Sequence, residues 1–269
     1  MEKEILTMEE AAELFSVSVK TFIKLLKEEK VPARKIGREW RFSRQALISW
    51  LSVGDSQHYS ASEGEAKDFF NDVAPKWEEL RKNYYDESIK NKLIEMDIIK
   101  SHMFVVDLGA GDGYISREVS KTAKKVIAVD IAGEMLKELK RKAFEQGISN
   151  IDIVEGDGLE VPIPEAYADI VCANMYLHHI SEPNLAIKEM SRILKPGGKV
   201  FIADYFEHSD NELKEEMRDI WQGFKESDLK AWFKASGFKK IKIEKLVGIS
   251  TRSAKAAADA PIFVLTAEK

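Results

Sequence analysis

Beyond residue 100 the chain alternates short apolar runs with stretches whose apolar residues recur at helical spacing. The run Met103–Leu108 reads as a buried strand. Val126–Asp130, Ile151–Val154, Asp169–Ala173 and Lys199–Ala203 predict four more. Between and after them, Ala132–Phe144, Leu185–Leu194 and Glu226–Ala235 predict helices, and Lys195-Pro196-Gly197-Gly198 stops the second. Phe238–Leu246 and Pro261–Thr266 predict a closing antiparallel pair, for seven strands in all. Strands alternating with helices imply an α/β protein with a parallel sheet covered on both faces.

The first hundred residues follow a different pattern. Thr7-Met8-Glu9-Glu10 fits a capping box opening a helix with Ala11, Ala12, Leu14 and Phe15 on its apolar face. Ser16-Val17-Ser18 breaks it, and Ser18 caps a second helix with Phe22, Ile23, Leu25 and Leu26 inward. Two short helices on a tight turn form a helix-turn-helix. Ala33–Ile36 and Trp40–Phe42 predict a hairpin around Gly37-Arg38-Glu39, and Ser43 caps a helix through Ala46, Leu47, Trp50 and Leu51. Ser52 to Glu65 holds four serines and two glycines, so domain boundaries are expected at 1–52, linker 53–65 and 66–269. Residues 66–100 read as helical, with Phe69, Phe70, Val73 and Trp77 at helical spacing, then Tyr84-Tyr85.

Length and composition refine this picture. A chain of 269 residues accommodates two domains. Cys172 is the one cysteine, which rules out an internal disulfide and suits a reducing cytoplasm. Met1-Glu2-Lys3-Glu4 leads into no signal core, and no apolar run approaches a membrane span. Net charge is −5, yet Lys20 to Arg44 carries nine basic and three acidic residues. Such asymmetry points to a polyanion.

The chemistry starts at Asp107-Leu108-Gly109-Ala110-Gly111-Asp112-Gly113-Tyr114, where a strand feeds a glycine turn and a helix bearing Ile115, Val119 and Thr122. Glycines let the backbone approach a ligand, and a helix start offers N–H groups to an anion. A dinucleotide fingerprint would carry its third glycine one residue later, where Tyr114 stands. The order acidic-x-Gly-x-Gly-x-Gly resembles motif I of the class I methyltransferases that use S-adenosyl-L-methionine. The resemblance implies a Rossmann-like, seven-stranded, doubly wound sheet and gives roles to residues at the strand ends. Asp107 meets the methionine amino group, and Gly109, Gly111 and Gly113 form the turn. Asp130, 19 residues after Gly111, accepts the ribose hydroxyls. Ile131 packs on the adenine, Asp157 accepts from its amino group, and Gly158 lets the base approach. For any one aspartate, a turn or helix cap is the competing role. In related enzymes a helical prelude covers the cleft, a lid role for residues 66–100 with Phe70, Trp77, Tyr84 and Tyr85.

Asp169-Ile170-Val171-Cys172-Ala173-Asn174-Met175-Tyr176-Leu177-His178-His179 and Leu194-Lys195-Pro196-Gly197-Gly198 resemble small-molecule methyltransferases related to ubiquinone and menaquinone biosynthesis. Asn174 joins the cofactor set. Trp221-Gln222-Gly223-Phe224 looks like methyltransferases fused to arsenic-repressor-type domains. The loop after strand four lacks the Pro-Pro-aromatic of amino-methylating DNA enzymes. Cys172 lacks the preceding proline of cytosine-C5 enzymes, and one cysteine cannot supply the thiols of arsenic methylation. His178, His179 and Tyr176 are candidates for a catalytic base, with Asp204 and Tyr205 near the same strand ends, and packing or capping as the alternative. No metal is expected: as strand or helix neighbours His178 and His179 would point apart, and His58, His102 and His208 form no ligand spacing.

Glu9-Glu10-Ala11-Ala12, Lys35-Ile36-Gly37, Trp40-Arg41-Phe42 and Trp50-Leu51 resemble the excisionase-type winged helix-turn-helix. That implies a second helix in the major groove of double-stranded DNA, with the hairpin as a wing. Lys20, Thr21, Lys24, Arg38 and Arg41 are the candidate contacts; a basic face for dimerisation or protein contact is the alternative. Regulators with this module read paired half-sites, which suggests a homodimer. Three readings stand: a small-molecule methyltransferase tethered to a DNA-binding module with a regulatory role, a regulator that senses S-adenosyl-L-methionine or a small ligand without turnover, and a nucleic-acid methyltransferase.

Overall fold

The computed structural model describes residues 3–28, 31–37, 39–246 and 260–269. The chain divides into two compact units, Met1–Ala61 and Ser62–Lys269.

In the first unit, β1 (Ile5–Leu6), α1 (Met8–Leu14), α2 (Val19–Glu28), β2 (Arg34–Ile36) and β3 (Glu39–Ser43) follow one another, and the strands pair antiparallel in the order β1-β3-β2. The capping box forms: Thr7 Oγ1 accepts the Glu10 N–H at 3.3 Å, and Glu10 Oε2 accepts the Thr7 N–H at 2.8 Å. Ser18 Oγ accepts the Thr21 N–H at 3.1 Å and opens α2. Leu6, Ala11, Ala12, Phe22, Val31, Phe42 and Leu47 make the core, with the Phe22 and Phe42 rings edge to face at 5.2 Å. Ile23, expected inside, is 37% exposed. It sits about 100° around the helix from Phe22 and so leaves the buried stripe. Arg38 lies outside the described residues.

The expected linker at 53–65 is helical. α3 runs from Arg44 to Val73, and the division at Ala61/Ser62 falls within it. A serine or glycine costs a helix only about 0.5–1 kcal/mol. No proline, the strong helix breaker, occurs between Pro32 and Pro75.

In the second unit α3 ends in a 3₁₀ turn, Ala74–Lys76, followed by α4 (Trp77–Arg81) and α5 (Ser88–Glu95). Then come β4 (Phe104–Leu108), α6 (Ser116–Val119), β5 (Lys125–Asp130), α7 (Gly133–Glu145), β6 (Ile151–Glu155) and β7 (Ala168–Asn174). A second 3₁₀ turn, Leu177–His179, precedes α8 (Pro183–Ile193), β8 (Leu194–Tyr205), α9 (Asn211–Met217), α10 (Glu226–Ala235), β9 (Lys239–Lys245) and β10 (Ile262–Glu268). The strands form one seven-stranded sheet in the order β6-β5-β4-β7-β8-β10-β9. It is parallel from β6 to β8, and β10 pairs antiparallel with β8 and β9.

Both sheet faces are buried. Val106, Val171 and Ile202 join one core with α8 and α10; their neighbours Val105, Ile170 and Phe201 join the other. That is the period of two expected of a pleated strand covered on both sides. Strand order reverses between β4 and β7, where a doubly wound sheet opens a crevice at its carboxyl edge. The helix expected after the glycine turn is shorter than its pattern: α6 is one turn, Ser116–Val119. Gly113 and Ser120 sit in turns on either side, so the helix start expected after the glycines belongs to a single helical turn. Among the described residues, no helix is long and apolar enough to cross a membrane.

Candidate active site

A cavity of about 1200 Å³, measured out to its open mouth, lies at that carboxyl edge. Asp107, Asp130 and Asp157, from the ends of β4, β5 and β6, all line it, with Gly109, Gly111, Ile131, Gly158, Asn174, Tyr176, His178 and His179. Gly113 does not. It has φ +86°, and a Cβ there would stand 2.7 Å from Leu139 Cγ, so its bareness serves packing against α7.

Asp130 spans the turn. Its Oδ2 accepts the Gly111 N–H at 2.7 Å, and its Oδ1 accepts the Ala132 N–H at 2.8 Å. It is therefore a turn residue and a cavity wall together; burial pushes its pKa up, and the backbone donors oppose that. Asp107 Oδ2 accepts from Ser116 Oγ at 2.6 Å, while Oδ1 is buried without a partner. Burial pushes the Asp107 carboxyl up to about 7; Ser116 opposes the shift and the nearby Asp130 charge adds to it. Asp157 Oδ1 accepts the Leu159 N–H at 2.8 Å on the exposed rim. Gly158 departs from its expected use: a Cβ there would stand 1.5 Å from the Tyr176 hydroxyl. The space beside it is filled by Tyr176, which also packs on Gly109, rather than left open for a base.

The residues expected to form a lid do line the cavity. Phe70 meets the Trp77 ring edge to face at 5.3 Å and His179 at 5.0 Å. Tyr84 and Tyr85 complete that wall. Asn174 Nδ2 donates to the Tyr85 hydroxyl at 3.2 Å, leaving Asn174 Oδ1 buried and unpartnered. Sequence reasoning missed Lys142, which reaches Asp112 at 2.5 Å and Glu78 at 2.7 Å and so ties α4 and α7 to the glycine turn. Its position inside an otherwise amphipathic helix carried no signal.

The expectation that His178 and His179 point apart is overturned. They sit in a 3₁₀ turn, not a strand or α-helix, and their ring centroids are 4.1 Å apart. His178 Nδ1–H donates to Asp204 Oδ1 at 2.6 Å. Asp219, which sequence reasoning did not single out, lies 3.5 Å from His178 Nε2 and 3.7 Å from His179 Nδ1. Burial alone would depress the His178 imidazole, but the Asp204 and Asp219 carboxylates outweigh it and raise its pKa. Burial and the adjacent His178 hold His179 well below its ordinary value.

On the first unit, Lys20, Thr21 and Lys24 are exposed on α2. The Thr21 hydroxyl lies 2.8 Å from Ser18 Oγ. Arg41 is half-buried, paired with Glu39 and donating to the Trp40 carbonyl at 3.0 Å, so its guanidinium is already engaged.

Residues 106–202 match the family model of a methyltransferase domain, and residues 5–52 that of a helix-turn-helix domain. The chain is 29% identical over 171 residues to 2-methyl-6-phytyl-1,4-hydroquinone methyltransferase of Arabidopsis thaliana, covering 62% of this chain and 49% of that protein. It is 29% identical over 151 residues to the ubiquinone/menaquinone biosynthesis C-methyltransferase of Pseudomonas aeruginosa, covering 54% and 59%. The chain thus spans about half the length of the curated relatives it matches. The crystal structure of the Bacillus subtilis protein YcgJ shares the fold with a TM-score of 0.57 at 19% identity, over 68% of this chain and 98% of that one.

Proposed function

From a chain that joins a helix-turn-helix domain to a methyltransferase domain, we propose methyl transfer from S-adenosyl-L-methionine to a small molecule, held at double-stranded DNA by the N-terminal module in a regulatory role. The observation that carries it is the convergence of Asp107, Asp130, Asp157 and the glycine turn on one cavity. The donor set fits the cofactor: Asp107 Oδ1 and Asn174 Oδ1 are buried acceptors still lacking a donor, and both residues line that cavity. An ammonium and hydroxyls are the groups such acceptors need.

When bound, the cofactor supplies a methyl group activated on a sulfonium. Asp130 would hold the ribose hydroxyls, Asp107 the amino group, and Ile131 and Asp157 the adenine. Phe70, Trp77 and Tyr84 exclude water, and holding the reactants in line contributes roughly 7–11 kcal/mol. The acceptor we favour is a flat ring bearing a hydroxyl, because aromatic rings and the imidazoles of His178 and His179 line the same cavity. Screening ring acceptors with isotopically labelled cofactor tests this; turnover on none of them, with cofactor bound, would leave the sensing regulator in its place.

The shifted Asp107 gives this reading a pH signature. A bound ammonium prefers the carboxylate, so binding must release the proton that Asp107 holds below about pH 7. Affinity for S-adenosylhomocysteine is expected to rise about tenfold from pH 6 to pH 8. Calorimetry in buffers of different ionisation enthalpy should count the released proton, and a flat profile would argue against the Asp107 role. In the free protein the sign is opposite. The raised pKa contributes stability present below the unfolded value of about 3.9 and lost as pH rises through the folded one.

For the DNA-binding module, the exposed Lys20 and Lys24 carry the prediction. Each alanine variant should weaken duplex binding uniformly across sequences and reduce the slope of log K against log salt by about 1. Mobility shifts over a salt series measure both, and a slope unchanged in the double variant would remove α2 from the interface. Paired half-sites would require a homodimer, which sedimentation with and without DNA reports.

A further inference from the structure

We propose that His178, His179 and Asp219 form a binding site for one divalent transition-metal ion beside the cavity that the two histidines line. It goes beyond the methyl-transfer reading and does not depend on it. The three groups come from two segments, the 3₁₀ turn after β7 and the bend after α9. One ligand atom from each lies within 4.8 Å of the others. Asp219 Oδ1 stands 3.5 Å from His178 Nε2 and 3.7 Å from His179 Nδ1. Those separations exceed a hydrogen bond between charged partners, about 2.7–2.9 Å. They are near the ligand-to-ligand edge of about 3.4 Å required around a tetrahedral ion bound at about 2.0–2.1 Å.

Asp219 strengthens the case. Its side chain is 0% exposed, and neither carboxylate oxygen has a hydrogen-bond partner. Its nearest cationic group is the His178 ring at 3.5 Å, beyond ordinary hydrogen-bond length, and a buried carboxylate that no donor reaches is costly. Nor is its position accidental. Arg218, at φ +59°, turns the chain out of α9, and the N–H groups of Ile220 and Trp221 both bond the His178 carbonyl at 3.0 Å. The backbone of one ligand segment is therefore stitched to the other.

The supporting shell is complete as well. Asp204 accepts His178 Nδ1–H at 2.6 Å, the Leu177 N–H at 2.9 Å and the Tyr205 N–H at 2.7 Å. Its oxygens are thus satisfied, and they leave His178 Nε2 as the ligating nitrogen. A carboxylate behind a metal-bound histidine is the usual orienting arrangement. Both imidazoles line the cavity, which offers the ion a way in. Two nitrogens and one oxygen favour zinc, cobalt, iron or manganese over magnesium or calcium, which prefer oxygen alone. Three protein ligands leave a position for water or an acceptor oxygen.

The test is a titration of the full-length, tag-free, chelator-treated chain with Co²⁺, read by ligand-field absorption, with Zn²⁺ as competitor and Mg²⁺ as control. One equivalent should bind, and Zn²⁺, not Mg²⁺, should displace it. Asp219→Ala and His179→Leu should each weaken binding at least about 100-fold, and Asp204→Asn, acting through His178, by about 10–100-fold. Circular dichroism establishes that each variant is folded; should Asp219→Ala fail, His179→Leu carries the comparison. No uptake by the folded wild type, or uptake unchanged in the variants, overturns the site. S-adenosylhomocysteine calorimetry on the same sample keeps the two readings apart. Cofactor bound without metal defeats only the metal site, and metal bound without cofactor defeats only the cofactor assignment.

Discussion

Asp130→Ala is expected to weaken S-adenosylhomocysteine binding by at least a hundredfold. Hydrogen bonds from neutral donors to a charged acceptor contribute about 1.5–3 kcal/mol each, and one carboxylate would serve two ribose hydroxyls. A second loss adds to the first. Asp130 also holds the Gly111 and Ala132 N–H groups at 2.7 and 2.8 Å, so its removal frees the glycine turn that shapes the cavity. A total of at least about 3 kcal/mol corresponds to more than a hundredfold in affinity. Asp130→Asn retains the shape and one acceptor, so it should fall between the alanine variant and the wild type. Calorimetry on both, with circular dichroism to establish folding, decides the matter. Wild-type affinity in the alanine variant would remove Asp130 from the cofactor site.

Gly223→Ala should be the most damaging single methyl group among the described glycines. Gly223 has φ +72°, and its added Cβ would stand 2.2 Å from the Phe206 carbonyl oxygen and 2.8 Å from that of Tyr205. These are backbone atoms and cannot swing aside. The Phe224 N–H bonds the Tyr205 carbonyl at 2.9 Å, and the Glu207 and His208 N–H groups bond the Phe224 and Gln222 carbonyls at 3.0 Å. Left-handed strain of about 1–2 kcal/mol adds to an overpacking cost of about 1–3 kcal/mol. The sum, about 2–5 kcal/mol, lowers the melting temperature by roughly 4–20 °C for a unit of this size. Gly237→Ala is the control: φ is +87°, yet nothing lies within 4 Å of the new Cβ. Only the strain should register there. Equal shifts for the two variants would mean that the loop at Gly223 yields, contrary to its hydrogen bonding.

How far the fold was legible depended on the range of the interactions. The strands were readable because burial on both faces demands short continuous apolar runs, and α10 spans Glu226–Ala235 as its pattern predicts. Asp107 and Asp130 were readable because a strand end feeding a glycine turn is a local arrangement. The helical course of 53–65 was not, since serine and glycine discourage a helix without forbidding it. The brevity of α6 was also hidden, because Ile115, Val119 and Thr122 repeat as well in successive turns as in a longer helix.

The division at the site follows the same line. Residue order alone determined the alternation of strands and helices, the carboxylates at successive strand ends and the aromatic prelude, because each depends on neighbours a few positions apart. Tertiary structure alone decided that Tyr176 fills the space beside Gly158, that Gly113 serves packing on Leu139, and that two adjacent histidines converge with Asp219. Those outcomes depend on which side chains distant in the chain are brought within a few ångströms, and residue spacing holds no record of that distance.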